Sequence, residues 1–215
     1  SARATRHWDK NMLIDQVTLY HLRMKLNSPF ETSFGRIETR DFILIEMQAD
    51  GIKGYGECVA DRDPGYSYET VGTAWHIYQD FMLPALLGTT LSQPADVQQI
   101  LSTIRGHQMA KAGLEMALWD IYGKERGESL YAMLRGVRPK VEVGVSIGIQ
   151  NSQEELLSTV NSYLEKGYRR VKLKIKPGKD IEQTSLVRQH YPDLNLQVDA
   201  NSAYTLDSAK TLKPL

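Results

Sequence analysis

The feature that most constrains this chain is its second half, where strand and helix patterns alternate with short connections. Residues 141–149 (VEVGVSIGI) alternate as a strand. Ser152 and Glu155 then form a capping-box pair, and Leu156, Leu157, Val160, Tyr163 and Leu164 make one apolar helix face that Gly167 closes. Residues 170–175 (RVKLKI) read as a strand, Pro177-Gly178 as a turn, 180–190 as a helix, 194–199 (LNLQVD) as a strand and 205–213 as a helix. A β-α-β-α-β-α order with short links implies parallel strands joined by crossover helices.

The faces of these strands narrow the architecture. Side chains alternate along a strand. Val141, Val143, Val145 and Ile147 share one face of the first, opposite Glu142, Gly144, Ser146 and Gly148. Val171, Leu173 and Ile175 oppose Arg170, Lys172 and Lys174, and Leu194, Leu196 and Val198 oppose Asn195, Gln197 and Asp199. A doubly wound sheet is covered by helices on both sides and wants apolar residues on both. One apolar and one small or polar face suits a barrel, with helices outside and the polar face inward. A Lys-x-Lys pair is also what the solvated face of an antiparallel sheet carries. The βα rhythm weighs against that reading, as does an acid, Asp199, at the end of the next strand.

The first half reads differently. Residues 13–25 and 41–49 are strand-like, with a loop over 26–40 between them. Asp50-Gly51 is a hairpin turn leading into a third strand over 52–59. Helical spacing follows over 67–82 and 94–105, and most strongly over 108–126, where Ala112, Met116 and Trp119 mark an apolar face and Gly127 the end. The expected domains are therefore a tag or disordered leader over 1–11, an α+β domain over 12–135, and the start of a barrel over 136–215.

Composition removes other classes. Lys+Arg and Asp+Glu are both 26, so no net charge draws the chain to nucleic acid or an anionic membrane. The single Cys58 excludes an internal disulfide framework and suits a reducing compartment. No apolar run approaches the ~20 residues of a membrane span. The leader lacks an apolar stretch, so it is not a signal peptide, and cytoplasmic placement follows by default. The five histidines lack metal-ligand spacing.

Lysines on one strand face beside an acid on the next suggest a chemistry. A Lys next to a like charge and partly desolvated can serve as a general base. Asp199 suits an oxygen-preferring cation such as Mg²⁺. Such an ion stabilises the enolate left when a proton is removed next to a carboxylate.

On these residues the chain resembles the enolase superfamily, in the muconate-lactonizing-enzyme subgroup. ALWDIYGK at 117–124 is similar to the signature helix of that family's capping domain, although Met133-Leu134-Arg135-Gly136 stands where Leu-Leu-Gly is usual. VKLKI at 171–175 is similar to its Lys-x-Lys strand, and VDANSAYT at 198–205 to the strand bearing its first metal ligand. PFETSFG at 29–35, SIGIQ at 146–150 and KLKIKPG at 172–178 resemble most the o-succinylbenzoate synthase and N-acylamino acid racemase family. The resemblance implies an α+β capping domain followed by an incomplete (β/α) TIM-type barrel. It implies Lys174 as the catalytic base, Lys172 as the residue that orients it, and Asp199 as a ligand for Mg²⁺, with Mn²⁺ as a substitute. It places Ser146 and Asn201 near the substrate carboxylate, and Phe30, Ser33 and Phe34 on a capping loop.

The activity so implied is a dehydration of the o-succinylbenzoate synthase type, a lyase step of menaquinone biosynthesis. N-acylamino acid racemization is the alternative, with dipeptide epimerase and muconate cycloisomerase more distant. An inactive fragment or interaction module is the alternative of another class. The partner expected is a small carboxylate substrate, with a homo-oligomer allowed. A barrel of about 250 residues gives roughly 31 per unit, so 141–215 holds about two and a half units and belongs to the N-terminal portion of a longer enzyme.

Overall fold

The computed structural model describes residues 11–215. The leader expected over 1–11 thus lies, Asn11 apart, outside the described residues. The chain forms two compact units. Residues 40–137 join the chain before residue 25 in one; Lys25–Thr39 and Arg138–Leu215 make the other.

The first unit is built on a sheet of β1 (Met12–Thr32), β2 (Gly35–Ala49), β3 (Ile52–Cys58) and β4 (Thr90–Leu91), in the order β3-β2-β1-β4. The loop expected over 26–40 is instead the far end of the β1–β2 hairpin. Both strands run on to a two-residue turn at Ser33 and Phe34, and only then does Gly35 take a φ of 139°. Ser28, Pro29 and Gly35 therefore mark a hairpin tip, because a tight turn lets the ladder continue through residues that otherwise read as loop formers. Asp50 and Gly51 make the expected turn, both at positive φ, and set the register Ala49 to Ile52.

The helix expected over 67–82 begins later, at α1 (Val71–Ile77), where Thr70 and Thr73 form a capping box. It passes through a π-helical turn over 78–82 into α2 (Leu83–Leu86), which places Pro84 in a first turn, where its missing N–H costs no hydrogen bond. The helix expected over 94–105 shortens to α3 (Asp96–Ile100) and a 3₁₀ turn. Helix α4 (Gln108–Arg126) has the expected limits, and Gly127 caps it at a φ of 62°.

The buried face of α4 differs from the expected one. Ala110, Gly113, Leu114, Ala117, Leu118, Ile121 and Tyr122 are buried, whereas Ala112 and Met116 are exposed. The reason lies in β3. A Cβ at Gly54 would sit 2.3 Å from the Ala117 carbonyl oxygen, and one at Gly56 1.9 Å from that of Gly113. The helix thus lies against strand backbone, so its small residues face inward and its larger ones fill the flanks. Cys58 is buried in this core, as expected.

After α5 (Leu130–Met133), the second unit contains β5 (Val145–Ile147), α6 (Gln153–Glu165), β6 (Arg170–Lys174), α7 (Ile181–His190) and β7 (Asn195–Asp199). The three strands are parallel, in the order β5-β6-β7. Ile147, Leu156, Val160, Val171, Leu173 and Val187 form the core between sheet and helices. The first strand is shorter than expected, and Val141 and Val143 are exposed ahead of it. The helix expected over 205–213 reduces to a 3₁₀ turn at Ala209–Leu212. Ser152 caps α6 by accepting from the Glu155 amide, but the Glu155 carboxylate accepts from Asn151 N and Nδ2. Among the described residues no helix is long and apolar enough to cross a membrane.

Candidate functional site

The parallel register lines up the polar faces of the second unit. Ser146 pairs with Lys172 and Lys172 with Gln197; two residues on, Lys174 pairs with Asp199. Two rows of polar side chains therefore cross the sheet, the second at the C-terminal ends of β6 and β7. That end is where α/β folds gather their chemistry.

The second row is closely knit. Lys174 is nine-tenths buried, and its Nζ donates to Asp199 Oδ2 at 2.8 Å and to Asn201 Oδ1 at 2.7 Å. Lys172 Nζ reaches the same Asp199 Oδ2 at 3.0 Å. The Asn201 amide donates to Asp199 Oδ1 at 3.0 Å. The Lys174 ammonium, then the Asn201 amide, hold the Asp199 carboxyl well below the usual carboxylate range, Lys172 adding to them against desolvation. Two ammonium groups on one carboxylate leave one positive charge in excess, which suits an anionic ligand.

The loop after β7 is shaped for this contact. Asn201 and Ser202 both have positive φ, 47° and 62°. Tyr204 Oη donates to Asp180 Oδ2 at 2.6 Å, which ties this loop to the start of α7. Burial, then that hydrogen bond, push the Tyr204 hydroxyl up to about 12.

The hairpin tip joins the same unit. Ser33 Oγ donates to the Ala200 carbonyl at 2.7 Å, and Ile149 N donates to the Glu31 carbonyl at 2.9 Å. Lys176 Nζ donates to Glu31 Oε1 at 2.9 Å. Phe30 is half-buried beside Gly148, while Phe34 is exposed at the turn. Of the residues singled out in the sequence, Lys172, Lys174, Asp199 and Asn201 touch one another, and Ser33 reaches the strand ends through Ala200. Ser146 lies in the outer row with an exposed side chain. Sequence reasoning misses Glu31, Lys176, Asp180 and Tyr204. Lys176 does extend the alternation of Lys172 and Lys174, Glu31 and Tyr204 lie within the segments 29–35 and 198–205, and Asp180 stands at a helix start, but no periodicity singles out these three.

Residues 14–135 match the family model for the mandelate racemase / muconate lactonizing enzyme N-terminal domain. The chain belongs to this family. Proteins similar to it include an o-succinylbenzoate synthase from Geobacillus kaustophilus, 48% identical over 94% of this chain and 54% of its own length. An N-succinylamino acid racemase from Thermus thermophilus is 45% identical, over 95% of this chain and 55% of its own. Among solved structures, an enolase-superfamily member from Listeria innocua superposes with a TM-score of 0.87 at 41% identity, over 95% of this chain and 55% of that one. The chain thus spans about half the length of the relatives it matches. Its fold is the family's N-terminal α+β domain followed by part of a barrel-type sheet, the three parallel strands β5, β6 and β7.

Proposed function

We propose that the protein is an enzyme that removes a proton α to a carboxylate, in a dehydration of the o-succinylbenzoate synthase type. The observation that carries this reading is the setting of Lys174. A neutral amine has two N–H bonds and one lone pair. Two acceptors, Asp199 Oδ2 and Asn201 Oδ1, are already in place for the two N–H bonds. The lone pair is left to the remaining position, aimed by its neighbours and shielded from water by burial. Lys174 Nζ takes the α-proton, hydroxide leaves from the adjacent carbon with the C–O electron pair, and the ring becomes aromatic. Lys172 shares the Asp199 oxygen, so it orients that carboxylate and contributes charge toward the substrate. Ser146 and Asn201 border the substrate carboxylate, and Phe30, Ser33 and Phe34 enclose it.

The donor chemistry at Asp199 fits one ligand of a hard divalent cation, Mg²⁺ or its substitute Mn²⁺. Among the described residues no group of three or more His, Cys, Asp or Glu side chains is placed to hold a metal. A complete site needs further carboxylates. When bound, the ion supplies positive charge to the enediolate oxygens.

A second reading uses the same proton abstraction and returns the proton to the opposite face, as in N-succinylamino acid racemization. It is favoured by a relative of that name at nearly the same identity. Parallel assays of the full-length protein with the cyclohexadiene substrate and with N-succinylamino acids in D₂O separate the two. Lys174→Ala should lower α-proton removal by about 10²–10⁴-fold in either assay. Normal turnover by that variant would refute the assignment of the base.

A further inference from the structure

We propose that Glu31 and Lys176 are a positioning pair that holds the hairpin tip across the strand ends bearing Lys174 and Asp199, and so sets how tightly a substrate is enclosed. This rests on the proton-abstraction reading of the site. Glu31 binds twice, through different atoms, to different loops. Its carbonyl accepts from Ile149 N after β5, and its carboxylate accepts from Lys176 Nζ after β6. Two residues on, Ser33 donates to Ala200 after β7. Among the described residues the tip is thus tied to the loop following each of β5, β6 and β7, and the Glu31–Lys176 contact is a tie that depends on charge.

The contact differs from an ordinary surface pair. The Glu31 side chain is 20% exposed and that of Lys176 36%, so the contact is partly shielded, whereas the fully exposed pairs that contribute little trade partners freely with water. The Lys176 hydrogen bond draws the Glu31 carboxyl below its usual range against desolvation, and Lys179 adds to it. Lys179 is itself fixed, its Nζ donating to the Gln150 carbonyl at 3.1 Å. The fit below the tip is close, since a Cβ at Gly148 would lie 3.1 Å from both Glu31 N and Glu31 O. Paired with Glu31, Lys176 stays out of the Lys172–Lys174–Asp199 cluster where the proton is removed. Lys176 therefore continues the lysine alternation but has another task.

The test uses the full-length protein as Glu31→Gln, Lys176→Met, the double variant and Lys176→Arg. Each breaking variant should raise KM about tenfold while kcat stays within about twofold, since the interaction serves binding more than the chemical step. Amide hydrogen exchange over 25–39 should quicken in parallel. The double variant should be no worse than either single one, and Lys176→Arg should restore the parent values. Unchanged KM and unchanged exchange in both single variants would overturn the pairing, as would losses that add in the double. If the parent turns over neither substrate class, the functional reading fails, and the exchange comparison still decides whether the pair holds the tip.

Discussion

Replacing Gly56 by alanine probes the way β3 meets α4. The new Cβ would stand 1.9 Å from the Gly113 carbonyl oxygen and 2.8 Å from the Ala117 nitrogen. Non-bonded atoms pack at roughly 3.5 Å, so strand and helix would have to part by about 1.5 Å. Both obstructing atoms are backbone, and no side-chain rotation relieves the clash. Parting them loosens Leu114, Leu118, Ile121 and Tyr122 together, all fully buried or nearly so. Overpacking costs about 1–3 kcal/mol where side chains can adjust, so about 3 kcal/mol or more is expected here. For a unit of roughly 100 residues that lowers the melting temperature by about 10–20 °C. Gly72→Ala is the control. Its Cβ would meet nothing closer than Thr70 Oγ1 at 3.8 Å, and the site is helical. That variant should gain up to ~1 kcal/mol from reduced backbone freedom. Thermal unfolding followed by circular dichroism reads both. A Gly56→Ala protein melting within about 2 °C of the parent would refute the close-approach argument.

Two further outcomes follow from a buried and a half-buried acid. Glu69, 2% exposed, accepts from the amides of Met109 and Ala110 at the start of α4. Glu69→Ala should cost about 1–2 kcal/mol by stranding those donors, read as a lower urea midpoint, while Glu69→Gln keeps part of the cap. Asp180 is held below the usual carboxylate range first by the Tyr204 hydroxyl. A depressed acid stabilises the fold above its unfolded value of about 4 and loses that contribution as pH falls through its lower folded value. Urea midpoints measured downward from about pH 6 should therefore fall below about pH 4, and Tyr204→Phe should flatten that fall. Identical profiles for the two proteins would remove Tyr204 from the account.

Periodic features are the ones legible in the amino-acid sequence. The alternation in β5, β6 and β7 assigns faces, and the assigned apolar residues Ile147, Val171 and Leu173 do form the core with α6 and α7. The same alternation brings Lys172, Lys174 and Asp199 to one side, where they meet within 3.0 Å. Features that depend on a distant partner are hidden. The inward face of α4 is decided by Gly54 and Gly56, more than fifty residues earlier, so Met116 looks like core and is 45% exposed. The hairpin tip reads as loop because Ser28, Pro29 and Gly35 resemble turn formers one by one. Glu31 carries no pattern that reveals a lysine 145 residues away.

The division of the molecule into units interleaves its segments. Lys25–Thr39 packs with Arg138–Leu215, and Arg40–Val137 comes between them in the chain. A ribosome therefore releases the hairpin tip long before the strands it binds, and joining them closes a loop of about a hundred residues at an entropic cost that grows only logarithmically with length. Genetic exchange meets the same arrangement. A crossover near residue 138 that imports a new set of strands leaves the old residues 25–39 in place. Glu31 and Ser33 would then face unfamiliar partners. Recombination that keeps function must carry both segments together, so the two stretches should be inherited as a pair.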